Sequence, residues 1–279
     1  MKVLFISDFT LEQRSGGAQV SNDIIIKKGR ELGFDIKEHH HLSSITDFLS
    51  SYDLVINSNL EAISKISPEK LQYINKMPNS VRLEHDSCLY LEEGTQQLFE
   101  NCKKTFFLSQ FHFDFFKEFY GDYFKNVEIV YDPIDTSIFK KEDKTKIYDI
   151  VYCGYLHKLK GLNNLMAYAK ANPERRVSVF GWGDLNPATL FEGFDNITFE
   201  GSKTHEEIAE VFKQSKAVFH SPIVNEPFCR MIGEALLCGV EEVIGNTEKI
   251  GSYLEFKNIG YEKFKEECEN AASIFWEKV

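Results

Sequence analysis

Short runs rich in β-branched and aromatic residues alternate with amphipathic stretches along most of the chain, and this alternation is its strongest constraint on fold. In the first half, strands are predicted at 2–7, 34–39, 53–58, 79–85, 104–109 and 127–131, with helices at 18–32, near 66–75 and at 110–120. Strands that alternate with helices form parallel sheets with helical crossovers. The sequence therefore predicts an α/β fold.

A segment that combines a proline with many charges, "YDPIDTSIFKKEDKTK" at 131–146, interrupts the alternation and is the predicted linker. The alternation then restarts, with strands predicted at 148–154, 175–181, 196–201, 216–221 and 241–246 and helices at about 160–171, 204–214 and 227–238. We predict two doubly wound, Rossmann-like domains, 1–133 and 134–259, and a C-terminal helix, 260–279, that packs back on the first domain. Such sheets bind ligands at the carboxyl ends of their strands, here expected in a cleft between the domains.

Composition limits the kinds of binding partner that are expected and indicates the cellular compartment. Asp and Glu (43) outnumber Lys and Arg (32), and the formal net charge is −11. DNA and anionic membranes favour basic surfaces, so nucleic acid is an unfavoured partner. The opening "MKVLFISDFT" is predicted to be a strand rather than a signal peptide. The six cysteines include no Cys-x-x-Cys pair, so reduced thiols and a cytoplasmic location are expected.

The Phe-rich segment "FHFDFFKEFYGDYF" at 111–124 has two interpretations. It is either a helix buried against the sheet or a surface that makes peripheral contact with a membrane carrying a lipid-linked acceptor. Its mixed charge favours the buried helix.

Two lysines in "CGYLHKLKG" (153–161) are candidates for phosphate binding. Lys158 and Lys160 lie between the end of a predicted strand and the start of the next helix. Ammonium groups and free backbone N–H groups at a helix N-terminus attract phosphate. An ordinary solvated loop is the alternative interpretation.

Glycine pairs follow two other predicted strands. Gly181 and Gly183 form a Gly-x-Gly in "VFGWGDLNP" (179–187), without the third glycine of the dinucleotide fingerprint, so a tight turn is favoured over close approach to a ligand. Gly16 and Gly17 precede the first predicted helix and form either an anion-binding nest or a flexible connection.

Two glutamates stand eight residues apart in "NEPFCRMIGEALLCG" (225–239). With Asn225 as cap and Pro227 in the first turn, Glu226 is expected at the N-terminus of a helix, where the helix dipole favours a carboxylate. Glu234 lies two turns inside, where the dipole offers nothing. On one helix they would be about 80° apart and about 12 Å apart along the axis, so both are expected to line one elongated ligand.

The order of these motifs resembles the retaining GT-B glycosyltransferases of the family-four type (glycosyltransferase group 1). The resemblance rests on the Gly-Gly loop, His85 at the fourth strand ("VRLEHDS", 81–87), the linker, the Lys-Gly pair and Gly-x-Gly. Its most specific part is Glu-x7-Glu followed by "EALLCG". The resemblance covers nearly the whole chain and implies two Rossmann-like domains that face a cleft.

The resemblance implies roles for the residues of the second domain. Glu226 would bind hydroxyls of the donor sugar, Glu234 the ribose, and Lys160 the diphosphate. Further substrate-binding positions implied by the same motifs are Tyr155, Lys158, Gly181, Gly183, Phe228, Cys229 and Arg230.

In the first domain, Gly16 and Gly17 would approach the donor phosphate or the acceptor, and His85 would lie beside the transferred sugar. The catalytic residues implied are therefore His85, Lys160 and Glu226. A lone histidine at a strand end is otherwise most simply structural.

The implied reaction is retaining, metal-independent transfer from a UDP-, GDP- or ADP-sugar to an unidentified acceptor, which is a glycan, a lipid-linked sugar or another molecule. No metal or cofactor is expected, since the sequence lacks the Asp-x-Asp triplet with which another class of glycosyltransferase holds Mg²⁺. Lys160 and helix N-termini would stabilise the leaving diphosphate.

One departure from the family pattern keeps alternatives open. Tyr155 stands where the family has an arginine that contacts the diphosphate, so His157, Lys158 or Arg230 would have to replace it. Without a replacement, the chain would be a non-catalytic nucleotide-sugar binding protein. A nucleotide-sugar epimerase, or a glycosyltransferase that acts on nucleic acid bases, are further alternatives.

Overall fold

The computed structural model describes residues 1–13, 16–40, 51–58, 79–86, 99, 102–124, 126–183 and 185–279. The helix predicted near 66–75, and Cys88, lie outside these residues. The chain divides into two units, Met1–Pro133 with Asn270–Val279, and Ile134–Glu269. Each unit is described by itself.

The first unit contains a six-stranded parallel sheet. Its strands are β1 (Lys2–Ser7), β2 (Asp35–His40), β3 (Leu54–Ser58), β4 (Ser80–Leu83), β5 (Lys104–Phe107) and β6 (Val127–Ile129), in the order β2-β1-β3-β4-β5-β6. All residues of β3 and β4 are buried, as expected for parallel strands covered on both faces. All six strands were predicted, with boundaries within two residues.

Two described helices lie in the first unit, α1 (Gly17–Glu31) and α2 (Gln110–Tyr120). Helix α2 begins where the Ser109 side chain accepts a hydrogen bond from the backbone N–H of His112 at 3.0 Å. Phe116 and Tyr120 of α2 pack with Phe99 and Phe107 in a buried cluster. This packing agrees with the buried-helix interpretation of the Phe-rich segment.

The last residues of the chain also pack in the first unit. Phe275 is fully buried, and its ring centroid lies 4.7 Å from that of Phe106 on β5. The indole N–H of Trp276 donates to the backbone carbonyl of Ile25 at 2.7 Å. A Cβ at Gly29 would lie 2.4 Å from the Trp276 ring, so α1 needs a glycine at this contact.

The second unit contains a five-stranded parallel sheet. Its strands are β7 (Tyr148–Tyr155), β8 (Val177–Trp182), β9 (Ile197–Gly201), β10 (Ser215–Phe219) and β11 (Glu242–Ile244), in the order β11-β10-β7-β8-β9. Its helices are α3 (Leu162–Ala171), α4 (Pro187–Leu190), α5 (His205–Lys213), α6 (Arg230–Leu237) and α7 (Gly251–Lys278), of which α7 continues into the first unit. Helix α5 begins with a capping box between Thr204 and Glu207. Two parallel sheets with connecting helices confirm the predicted α/β class.

Helix α7 differs from the prediction. It begins at Gly251 rather than 260, and it is interrupted at Gly260, where φ is 76°. The amphipathic pattern that indicated the helix lies after this interruption. Glycine adopts such a left-handed conformation without the steric cost of a Cβ.

Within the described part of the chain, no helix has the length and apolar character needed to cross a membrane. The five cysteines there, Cys102, Cys153, Cys229, Cys238 and Cys268, form no disulfide bond with one another.

Candidate functional site

Three polar side chains meet at the carboxyl ends of β7 and β10, which are neighbours in the second sheet. Lys160 ends a short 3-10 turn that follows β7, and His220 comes directly after β10. Glu226 lies six residues further on. The carboxyl ends of parallel strands are where open α/β sheets bind ligands.

One carboxylate oxygen joins the three side chains. Glu226 Oε1 accepts hydrogen bonds from Lys160 Nζ at 2.9 Å and from His220 Nε2 at 3.1 Å. Glu226 and His220 are buried, whereas 45% of the Lys160 side chain is exposed. Burial alone raises the pKa of Glu226, but its interactions with His220 and Lys160 outweigh this effect and hold the pKa well below the usual range. The carboxylate is therefore ionised, with a cation at its side that ligands can reach.

The backbone around Glu226 is extended, which corrects the sequence prediction that a helix starts here. Glu226 forms a parallel bridge with Ile250: its N–H donates to the Lys249 carbonyl at 2.8 Å, and its own carbonyl accepts from Gly251 N–H at 2.9 Å. The predicted cap at Asn225 and first turn at Pro227 are therefore wrong, and α6 begins at Arg230. The separation worked out for two glutamates on one helix does not apply.

Residue Cys229 makes the turn between this extended segment and α6. Its φ of 64° is the only positive φ of a non-glycine residue in the described part of the chain. Burial, and next the Glu226 carboxylate, raise the pKa of the Cys229 thiol well above its ordinary value, so the thiol is a poor nucleophile. Phe228 is buried beside it and stacks on Phe264, with centroids 5.9 Å apart.

Glu234 is buried in α6 and has a partner one turn earlier. Arg230 Nη2 donates to Glu234 Oε1 at 3.3 Å. Arg230 is the first residue of the helix, not one turn inside it as the sequence suggested, and its guanidinium already contacts a carboxylate. This contact weakens the suggestion that Arg230 replaces the diphosphate-binding arginine of the family.

Gly161 allows the Lys160 turn to approach β10 closely. Gly161 has φ 84°, and a Cβ there would lie 1.9 Å from the Ser221 carbonyl oxygen. Asn164 Nδ2 donates to the same oxygen at 3.1 Å, so α3 is joined to the residue that follows His220. These contacts keep Lys160 beside Glu226.

Aromatic side chains lie at the carboxyl ends of β7 and β8. Tyr155 and Trp182 are opposite each other in the register of these strands, with ring centroids 6.1 Å apart. The Tyr155 ring also stacks on His157 at 5.8 Å, and Trp182 is 52% exposed.

Glycines pack the backbones of these two strand ends together. A Cβ at Gly181 would lie 1.9 Å from the Gly154 carbonyl oxygen, and one at Gly183 would lie 3.0 Å from Leu156. The Gly-x-Gly therefore serves close backbone packing in the structure. Lys158 is the first residue of the 3-10 turn that follows β7.

The remaining predicted site residues, Gly16, Gly17 and His85, belong to the first unit. Gly16 caps α1 and Gly17 is its first residue. His85 is buried after β4; its Nε2 lies 3.0 Å from Asn22 Oδ1, and its Nδ1 lies 3.7 Å from Asp132 Oδ1. Beside it, burial raises the pKa of Glu84 although Arg82 contacts the carboxylate at 2.7 Å.

Sequence reasoning missed His220. The signal was the position of this histidine directly after a predicted strand in "KAVFHS", the same kind of position that drew attention to His85. Only the adjacency of β10 and β7 shows that it shares a carboxylate with Lys160.

Comparison with known proteins assigns the family. Residues 133–270 match the family model "Glycosyl transferases group 1". No curated protein matches the sequence. Three solved structures are similar in fold at 13–17% identity.

The first of these is Anabaena HepE in complex with UDP and glucose (TM-score 0.65, 17% identity, 99% of this chain and 90% of that chain covered). The second is sucrose-phosphate synthase from Thermosynechococcus elongatus (TM-score 0.71, 13% identity, 99% of this chain and 90% of that chain covered). The third is AviGT4, a glycosyltransferase involved in avilamycin A biosynthesis (TM-score 0.57, 14% identity, 98% of this chain and 88% of that chain covered). The family match and this shared fold confirm the resemblance to GT-B glycosyltransferases inferred from the motifs: residues 133–270 belong to the glycosyl transferases group 1, and the chain shares its fold with the solved structures above.

Proposed function

We propose that the protein transfers a sugar from a nucleotide-diphosphate sugar to a glycan or lipid-linked acceptor, with retention of anomeric configuration and without a metal. The observation that carries the proposal is the Lys160–Glu226–His220 cluster. It combines a carboxylate, a group that accepts hydrogen bonds from hydroxyls, with an exposed ammonium, a group that attracts phosphate.

Sheet order supports an arrangement of the donor along the strand ends. The strands β10, β7 and β8 are consecutive in the sheet, so their ends follow one another at spacings of about 4.8 Å. Glu226 and His220 follow β10, Lys160 follows β7, and Trp182 ends β8. We assign these positions to the sugar, the diphosphate and the nucleobase in that order, with Glu234 on α6 for the ribose.

An aromatic surface in place of an arginine is consistent with this assignment. Trp182 and Tyr155 offer π-faces for a base, and base–aromatic stacking contributes roughly 1–3 kcal/mol per base. Stacking would offset part of the charge interaction that the family arginine supplies. HepE was crystallised with UDP, so UDP-sugars are the first donors to test.

Charge stabilisation of the leaving diphosphate is the chemical task of this site. Lys160 needs only to exchange its contact with Glu226 for the phosphate oxygens as charge develops there. Once the ammonium has moved, Glu226 accepts from donor hydroxyls, and His220 holds the carboxylate in place. The role inferred for His85, beside the transferred sugar, remains part of the proposal.

The test is nucleotide binding followed by product analysis. We expect one of UDP, GDP and ADP to raise the melting temperature of the protein equally with and without EDTA. Lys160→Met should lose most of this shift, whereas Lys170→Met, which removes an exposed lysine on α3, should keep it. A shift that requires a divalent cation, or one that Lys160→Met retains, would contradict the proposal.

The anomeric configuration of the product, read by proton NMR, tests retention. Inversion would refute that part of the mechanism. Nucleotide binding without release of nucleoside diphosphate, over a panel of acceptors, would favour a binding protein.

A further inference from the structure

A second chemistry is available to the residues around Glu226. His220, Glu226 and Cys229 each present one potential ligand atom, and these three atoms lie within 4.8 Å of one another. His220 and Glu226 are buried, and Cys229 is partly buried. The proposed transfer reaction uses the thiol of Cys229 neither as a nucleophile nor as an acid or base.

These ligand types suit a thiophilic cation. Zn²⁺ binds Cys, His and carboxylate groups at about 2.0–2.3 Å, which places neighbouring tetrahedral ligand atoms about 3.3–3.6 Å apart. Glu226 Oε1 and His220 Nε2 are already 3.1 Å apart, so the sulfur atom has to move by no more than about 1.5 Å. Mg²⁺ prefers six oxygen ligands and does not fit this set.

The backbone at Cys229 shows that the thiol is held in a conformation better suited to glycine. Its φ of 64° is left-handed, and a side chain raises the energy of that conformation. A glycine would remove this strain together with the sulfur. This property makes Cys229→Gly a variant that tests the thiol without adding strain to the fold.

We propose that His220, Glu226 and Cys229 form a binding site for a thiophilic divalent cation such as Zn²⁺, and that the cation, when bound, excludes Lys160 from Glu226. Binding releases the thiol proton of Cys229 to solvent. The imidazole proton of His220 moves from Nε2 to Nδ1, and the Lys160 ammonium, on a side chain 45% exposed, turns to water. Part of the proposal, inhibition by the cation, rests on the proposed transferase site, whereas binding itself does not.

The surroundings of His220 limit the affinity. Among the described residues, the buried Nδ1 of His220 has no hydrogen-bond partner. Histidines that bind metals usually donate from their second nitrogen, and loss of such a contact weakens binding by about 10–100-fold. We therefore expect reversible binding, weaker than at a structural zinc site.

Cobalt absorbance tests the binding directly. Co²⁺ is added to the reduced full-length protein and to Cys229→Gly and Cys229→Ser, and thiolate-to-cobalt absorbance is recorded. We expect the wild type to develop this band with one equivalent of Co²⁺, to lose it on addition of Zn²⁺, and to be unaffected by Mg²⁺. Both variants should lack the band.

A wild type without the band, or a Cys229→Gly variant that retains it, would overturn the site. Circular dichroism of both variants checks that they are folded. A second measurement addresses inhibition in the wild type alone: Zn²⁺ should abolish the nucleotide-induced thermal shift, and removal of the Zn²⁺ by EDTA should restore it. Metal binding without this competition would refute the inhibitory half, and a protein that binds Co²⁺ but no nucleotide would refute the proposed function alone.

Discussion

Gly161→Ala is expected to damage the site through a single added methyl group. In the structure this Cβ would lie 1.9 Å from the Ser221 carbonyl oxygen, whereas ordinary contacts begin at 3.4 Å and distances under 3.0 Å are essentially never seen in real structures. The backbone must therefore shift by at least about 1 Å, and it has to do so in the turn that carries Lys160.

The loss of stability expected for Gly161→Ala has two components, and a matched control variant separates them. A side chain in the left-handed conformation costs roughly 1–2 kcal/mol, and forced overpacking typically adds 1–3 kcal/mol. Gly193 has a similar φ of 82° in the same unit, but nothing lies within 4 Å of its Cβ position. Gly193→Ala should therefore show the first cost alone, and Gly161→Ala should lower the free energy of unfolding by about 1–3 kcal/mol more.

Urea denaturation followed by circular dichroism measures both variants, and the thermal shift with the bound nucleotide measures the site. We expect Gly161→Ala to lose nucleotide affinity and Gly193→Ala to keep it. Equal destabilisation by the two substitutions would refute the close approach between Gly161 and Ser221. Greater destabilisation with unchanged nucleotide affinity would refute the link to Lys160.

Three further predictions concern Glu226 and the two tryptophans. Because the folded-state pKa of Glu226 lies below its unfolded value of about 4.3, its charge stabilises the fold above about pH 5, and this contribution is lost as the pH falls. The stability advantage of the wild type over Glu226→Gln, from urea midpoints, should therefore shrink from pH 6 to pH 3; a constant difference would contradict this. In a Trp276→Phe background, Trp182 is the only tryptophan, so a nucleotide whose base stacks on it should quench the tryptophan fluorescence. Nucleotide binding without quenching would show that Trp182 does not contact the base. Trp276→Ala should lower the free energy of unfolding by about 3–5 kcal/mol, since the side chain is buried and its indole N–H donates a hydrogen bond to the Ile25 carbonyl. A loss below about 1 kcal/mol would show that the fold does not depend on this packing and hydrogen bond.

The strands of this protein were predictable from sequence because parallel strands are buried on both faces. The runs at 2–7 and 148–154 are mostly apolar, as burial on both faces requires, and the structure has strands there. Helix ends were less predictable. At 225–229 the residues Asn and Pro fit a helix start, but backbone pairing of Glu226 with Ile250 extends the segment instead. The partner is 24 residues away, so no local pattern reveals it.

The candidate site was predictable in part. Lys160 and Glu226 were selected from separate motifs, and the structure brings them to 2.9 Å. His220 was missed because a histidine after a strand has many ordinary explanations. Whether such a histidine belongs to a site depends on which strand ends lie side by side, and the order of strands in the sheet is a property of the folded chain.

Composition, alternation and motif order by themselves determined the α/β class, the two parallel sheets and the membership in a glycosyltransferase group, because each depends on residues close in the chain. Only the tertiary structure decided that Glu226 shares one oxygen with Lys160 and His220, that Cys229 turns left-handed beside them, and that Arg230 is already paired with Glu234. Hydrogen bonds and ion pairs depend on distances of a few ångströms, and packing brings together groups such as Lys160 and Glu226 that are 66 residues apart in sequence.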